Sequence, residues 1–288
     1  RSVTQAILGE IELASLNRAK RTPTQNMSSY EFLLRGKEGH HAIDKEANAH
    51  ALEMFDKAIE ADPANAQAYA WKACTMGQAL GRGWIEKSLE EVMPEFNKLM
   101  DHAIKADPND FELHRLLCGI STMTGKFKAA VEHGKKAYDM VPNDPRILQQ
   151  YGEILLKTGK TKQGCDLTLL ALEYDPVAQG QTNGDKRKSD AVFGCLMDDR
   201  VELGLELAEE IEACSENILL FAAALSVAKH GSLEPCPWLI NDLKTCDFER
   251  LEDGIEEMGR YDVVVQSKLR EVFLDHIAKL QPKLQLVS

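Results

Sequence analysis

Pro108, Pro142 and Pro176 stand 34 residues apart, and each closes the same kind of phrase. Ala103-Ile104-Lys105-Ala106-Asp107-Pro108 nearly repeats Ala58-Ile59-Glu60-Ala61-Asp62-Pro63. Ala137-Tyr138-Asp139-Met140-Val141-Pro142 and Ala171-Leu172-Glu173-Tyr174-Asp175-Pro176 echo it. In every phrase an alanine precedes the proline by five residues. From Pro63 to Pro108 the interval is 45 residues, one period plus an insertion of 11. A period this regular leaves little freedom. The chain must stack copies of one small supersecondary unit, each burying its apolar face against the next.

The marks inside the period say which unit it is. Thirty-four residues accommodate two antiparallel helices, A and B, and a close crossing between them needs small side chains. Helix A supplies Ala73, Cys118 and Gly152 at matching places; helix B supplies Ala51, Ala130 and Gly164. Gly125 and Gly159 stand where the turn between helices requires a left-handed residue. Proline then ends helix B, having no N–H to donate. Asn143-Asp144-Pro145 reads as a cap and a first-turn proline opening the next helix A. These are the features of a tetratricopeptide (TPR) repeat. The predicted fold is all-α, an α-α superhelix or TPR-like solenoid of antiparallel helix pairs.

The signal is strongest over residues 51–176 and thins on both sides. Upstream, Tyr30 to Gly36 reads as a helix A, with Gly39-His40-His41 lengthening the link to its partner. Residues 2–20 read as a helix stopped by Pro23, the remnant of a preceding segment. Downstream, 177–190 reads as a loop, followed by a pair over Asp190–Met197 and Val201–Ala213 and a further helix A over Asn217–His230. Two last helices, about 247–258 and 262–280, follow Pro235 and Pro237. The second is amphipathic, with Val265, Leu269, Val272, Phe273, Ile277 and Leu280 at helical spacing. The expected domains are residues 1–27, an N-terminal helix and linker; 28–231, TPR-like repeats; and 232–288, capping helices. The last helix is also the expected face for a homodimer.

Arg18-Ala19-Lys20-Arg21-Thr22-Pro23, Tyr30, Leu33-Leu34-Arg35-Gly36, the Ala51…Phe55…Ala58…Asp62-Pro63 helix and Ala68-Tyr69-Ala70 carry a family likeness. The stretch from Glu10 to about Pro176 resembles the C-terminal region of bacterial class III adenylate/guanylate cyclase-related proteins. There a cyclase domain is followed by a TolB-like segment and then TPR repeats. The same layout occurs in some winged-helix transcription regulators. The resemblance implies a cytoplasmic regulatory or interaction arm. It transfers no catalytic residues, because none of these positions belongs to a cyclase core.

The residues themselves point away from chemistry. A cyclase needs paired aspartates for metal ions and a cradle for a triphosphate. Gly81-Arg82-Gly83-Trp84 lies in the 11-residue insertion and lacks the Lys-Ser/Thr of a phosphate loop. His40-His41 with Asp44 reads as a linker bearing solvated imidazoles, and His102, His114, His133 and His276 as scattered one per face. Seven cysteines without a Cys-x-x-Cys pair fit reduced, structural thiols. No catalytic residue, metal site or cofactor is expected. With 34 Lys and Arg against 46 Asp and Glu, a net charge of −12 disfavours direct nucleic-acid binding. No run of apolar residues suits a membrane helix.

What remains is binding. A helices line the concave surface of such a stack, so exposed A-helix positions face its groove. Those positions carry Gln67, Ala70, Cys74, Glu112, Arg115, Gly119, Arg146, Gln149, Glu153 and Lys157. Gln67, Arg115, Arg146, Gln149, Glu153 and Lys157 form the candidate site, with Arg115 and Arg146 bracketing an acidic group of a partner protein or peptide.

Overall fold

A computed structural model describes residues 14–20, 27–178 and 183–280. Among these residues there is no strand. After a helical stretch at 14–19, fourteen further α-helices follow among the described residues: α1 (Ser29–His41), α2 (Lys45–Ala61), α3 (Ala66–Gly81), α4 (Leu89–Ala106), α5 (Phe111–Met123), α6 (Phe127–Met140), α7 (Pro145–Lys157), α8 (Thr161–Tyr174), α9 (Asp185–Met197), α10 (Val201–Glu209), α11 (Glu216–His230), α12 (Pro237–Leu243), α13 (Phe248–Met258) and α14 (Val263–Val272). A π-helical turn, Phe273–Ile277, and a 3-10 turn, Ala278–Leu280, extend the last. Of the expected N-terminal helix, residues 14–19 are helical and 1–13 lie outside the described residues. The chain divides into two compact units, the division falling after Gln150 inside α7.

In the first unit α1 packs on α2, α3 on α4 and α5 on α6, the A–B pairs the period demands. Capping sets the helix starts. Ser28 and Ser88 each form a reciprocal capping box, with Glu31 and Glu91, and Asp44, Asn65 and Asp110 accept from the backbone three residues on. Gly125 and Gly159 end their helices at φ 69° and 80°, as a left-handed turn requires. Small residues mark the crossings, Ala51, Ala73 and Ala130 being wholly buried. Phe55, Met54, Trp71 and Leu113 fill the core between pairs. Each such side chain contributes about 1.5–3 kcal/mol on burial.

The structure corrects the link after Gly36. Gly39, His40 and His41 belong to α1, which runs on to His41. Gly39 is the reason they fit: a β-carbon there would stand 2.7 Å from the Ala47 carbonyl oxygen, so its absence lets α1 pass close to α2.

The second unit keeps the pattern through α8 to α10, then changes. A β-carbon at Gly194 would meet the Thr168 hydroxyl at 2.7 Å, so α9 crosses α8 on a glycine. α9 begins at Asp185, five residues before the expected start. Arg187, 1% exposed, explains this, since its guanidinium bonds the Asp175 carbonyl oxygen at 3.2 Å and holds the first turn of α9 against the end of α8. α11 is buried all round from Ile218 to Ser226 and forms the centre of this unit. α12, which sequence reading passed over, starts on Pro237 at its first turn. Leu269, Val272, Phe273 and Ile277 of the last helix enter the same core. The amphipathic stripe expected to serve a homodimer is therefore turned into this unit's own core, and Val263, Val264 and Leu274 stay exposed.

Candidate functional site

On the first unit, the A helices bring a charged and aromatic cluster together around Trp71. The Lys37 ammonium lies 5.6 Å and the Arg115 guanidinium 5.5 Å from the indole ring centre, both within cation–π range. His40 and His41 meet the same indole edge-on, at 5.1 and 5.4 Å between ring centres. His40 Nδ1 is 3.0 Å from the Thr75 hydroxyl, which itself donates to the Trp71 carbonyl oxygen. Trp71 is 2% exposed, and its indole N–H has no hydrogen-bond partner among the described residues.

Behind the indole sits a buried ion pair. Arg115 donates from Nε and Nη2 to the two carboxylate oxygens of Glu112, both at 2.9 Å. The two residues are only 6% and 2% exposed. Arg146, one repeat on, reaches the same carboxylate at 3.4 Å and pairs with Asp144 at 2.6 Å. Turned with its amide nitrogen toward the Arg115 carbonyl oxygen, Gln150 donates to it at 2.8 Å and accepts from Arg115 Nη1 at 3.2 Å. Burial alone would raise the Glu112 carboxyl. The Arg115 and Arg146 guanidiniums outweigh it and hold the group well below the usual carboxylate range. Burial pushes the Cys74 thiol up to about 11, leaving it protonated and inert.

The sequence-predicted residues are therefore divided. Arg115 and Arg146 do converge, but on this chain's own Glu112 and Asp144. Gln67 donates to Asp110 at 2.9 Å, binding α3 to the start of α5. Gln149 is half-buried on α7. Glu153 and Lys157 belong to the second unit, where they pair at 2.7 Å and Lys157 lies 4.7 Å from the Tyr261 ring centre. His40 and His41 are not solvated linker residues: placed on α1, both pack on Trp71. Nor are His114 and His133 scattered, since they pair across α5 and α6. Lys37, Trp71 and the two histidines were missed. The signal was available in their spacing on helices α1 and α3, had α1 been extended past Gly36.

The two imidazoles give the cluster an acid limit. Burial and then the Arg115 charge push His40 down to about 4. Burial, followed by the charges of His40, Arg115, Arg146 and Lys37, takes His41 to about 3. Both groups are depressed below their ordinary 6.5, so the stability they contribute is complete above pH 6.5 and drains away as pH falls through about 4 for His40 and about 3 for His41. In denaturation curves between those limits the wild type should lose on the order of 5 kcal/mol to these two groups, at about 1.4 kcal/mol for each pH unit between a group's ordinary and folded values. His40→Gln/His41→Gln should flatten the slope. An unchanged slope would mean the imidazoles do not sit buried beside the cations.

No group of three or more His, Cys, Asp or Glu side chains suited to a metal ion occurs among the described residues. None of the described helices is long and apolar enough to cross a membrane.

No family model matches this chain, and no curated protein does. Among solved structures it is similar to Pseudomonas aeruginosa pilF, at 12% identity and a TM-score of 0.51, over 82% of this chain and 95% of that one. It is similar also to a chain of the APC/C hetero-tetramer Cut9-Hcn1, at 13% identity and a TM-score of 0.57, over 92% of this chain and 46% of that one. YrrB, a TPR protein with an unusual peptide-binding site, aligns at 17% identity with a TM-score of 0.41, over 83% of this chain and 95% of YrrB. At these identities the likeness is one of fold. The fold is the all-α TPR-like superhelix that the 34-residue period predicts.

Proposed function

We propose that this chain is a protein-interaction module that binds an acidic segment of a partner protein along the A-helix face of its first unit. One observation carries the reading: successive A helices set Lys37, Trp71, Arg115 and Arg146 in a single cluster within a chain of net charge −12. Three cations against Glu112 and Asp144 leave a positive contrast that attracts and orients an acidic peptide. The fold shared with a chain of the Cut9-Hcn1 hetero-tetramer supports a role in protein assembly. The family likeness carried by Arg18 to Pro23 and Leu33 to Gly36 supports the finer reading, a cytoplasmic regulatory arm of a cyclase-like signalling protein. A winged-helix regulator bearing the same arm, or a stand-alone scaffold, is the second reading. In each the chain itself contributes binding and no catalysis.

The test is an array of acidic 12-residue peptides beside copies with Glu and Asp replaced by Gln and Asn. Lys37→Ala/Arg146→Ala is the informative variant, because both side chains are half-exposed whereas Arg115 holds Glu112 in the interior. Wild type should select acidic peptides, more weakly as salt rises. The variant should lose at least about tenfold in affinity, or 1.4 kcal/mol, with an unchanged circular dichroism spectrum. Equal binding by wild type and variant, or equal binding of the neutral copies, would remove the groove from consideration.

A further inference from the structure

His114 on α5 and His133 on α6 face each other across one helix pair, Nδ1 to Nδ1 at 3.0 Å, with their rings 23° from parallel. The ring centres are 5.2 Å apart, which is that N···N distance plus the two ring radii. The two nitrogens therefore point straight at one another. Such a line suits a hydrogen bond, which prefers an open angle at the proton. It does not suit a shared metal ion, which needs two lone pairs converging on a point off the line. One proton lies between the rings. On its other side, His114 Nε2 is 2.9 Å from the Pro108 carbonyl oxygen, which can only accept. His114 must then carry its proton on Nε2 and offer a lone pair at Nδ1, while His133 donates from Nδ1. His133 Nε2 is left as the pair's remaining basic nitrogen, on its half-buried member.

We propose that His114 and His133 form a one-proton clamp between α5 and α6 that makes the groove residues Glu112 and Arg115 sensitive to pH. A first proton arrives at His133 Nε2 and leaves the bridge in place, now strengthened by charge. A second has only His114 Nδ1 to occupy. There it would set two N–H groups against each other and break the bridge. α5 would then lose one polar tie to α6, and α5 is the helix on which Glu112 and Arg115 flank His114. The charged groups facing the pair are Asp107 and Asp110, from the turn entering α5, and Glu132 and Lys136 on α6. At His133, burial is the largest obstacle to the first proton, Lys136 adds to it and Glu132 favours uptake. At His114, 2% exposed, burial again leads against the second proton and Lys136 adds to it, while Asp110 and Asp107 favour it. The consequence for binding rests on the groove reading above; the proton count does not.

Long-range proton–nitrogen spectra of the imidazoles in the intact chain, from neutral to acid pH, test the clamp. At neutral pH His133 should be the Nδ1–H tautomer and His114 the Nε2–H tautomer, with the first proton taken up at His133. The Arg115 Nε–H, which donates to Glu112 and is assigned by its loss in Arg115→Lys, reports on the groove. Its exchange with water should stay slow through the first protonation and quicken at the second. In His133→Phe, which has no nitrogen to bridge, it should exchange at least tenfold faster already at neutral pH. Two Nε2–H tautomers, or two independent single-site titrations, would overturn proton sharing. Arg115 exchange in His133→Phe equal to wild type would overturn the regulation, and would leave peptide binding to its own array.

Discussion

Replacing Glu112 by alanine is expected to lower the stability of the first unit by about 3–5 kcal/mol, the typical cost of leaving a buried charge without its partner. Arg115 is 6% exposed, and Glu112 accepts both of its forked hydrogen bonds. With the carboxylate gone, the guanidinium keeps Trp71 and Gln150 beside it and, among the described residues, no opposite charge in bonding distance. Urea denaturation of single and double variants reads the effect. Glu112→Ala/Arg115→Met should recover a large part of the loss, because a buried pair exchanged for apolar side chains of similar volume is often neutral. The same carboxyl sets an acid limit of its own. Its folded value lies below the ordinary 4.5, so its contribution is present above pH 4.5 and is lost only as pH falls further. The alanine variant should lack that limb and keep the one due to His40 and His41. A single variant within about 1 kcal/mol of wild type would mean the pair is hydrated in solution.

The fold was legible because its constraints are local and periodic. Gly125, Gly159 and Pro145 act within one turn of chain, and Ala51, Ala130, Cys118 and Gly152 recur at fixed offsets, so each repeat states the same requirement again. The candidate site was legible only in outline. Arg115 and Arg146 could be placed on facing A helices from their spacing, but nothing local reveals that Glu112, three residues before Arg115, turns inward to hold both. A side chain at the edge of a helical stripe goes to solvent or to the interior according to what waits there. Here Trp71 offers a face on which a guanidinium can be buried. His40 and His41 were misplaced for a related reason: Gly39 reads as a helix breaker until Ala47 and Ala51 are seen to need its missing β-carbon. The start of α9 was missed because Arg187, in a polar run, is held by the Asp175 carbonyl oxygen at the far end of a loop.

Gly152→Leu should disrupt the pairing of α7 with α8 and cost at least the upper part of the roughly 1–3 kcal/mol typical of overpacking. A β-carbon alone at Gly152 would stand 3.0 Å from the Gly164 carbonyl oxygen and 3.0 Å from Thr168 Cγ2. From the other helix, a β-carbon at Gly164 would lie 2.8 Å from the Gly152 carbonyl oxygen and 2.9 Å from the Leu156 nitrogen. Backbone faces backbone here, so neither side can yield by turning a rotamer. A leucine adds three more carbons in the same direction and must drive the helices apart or unwind one of them. Gly119→Ala is the control. Its new methyl would meet only the amide of Gln150, at 3.2 Å, the far end of a flexible side chain rather than backbone. Alanine is also the better helix former, by about 1 kcal/mol, so that variant should melt close to wild type. The comparison separates crowding at the crossing from any general intolerance of side chains on helix A. If Gly152→Leu melts with Gly119→Ala, the helices do not cross at Gly152 and the register of the repeat must be shifted.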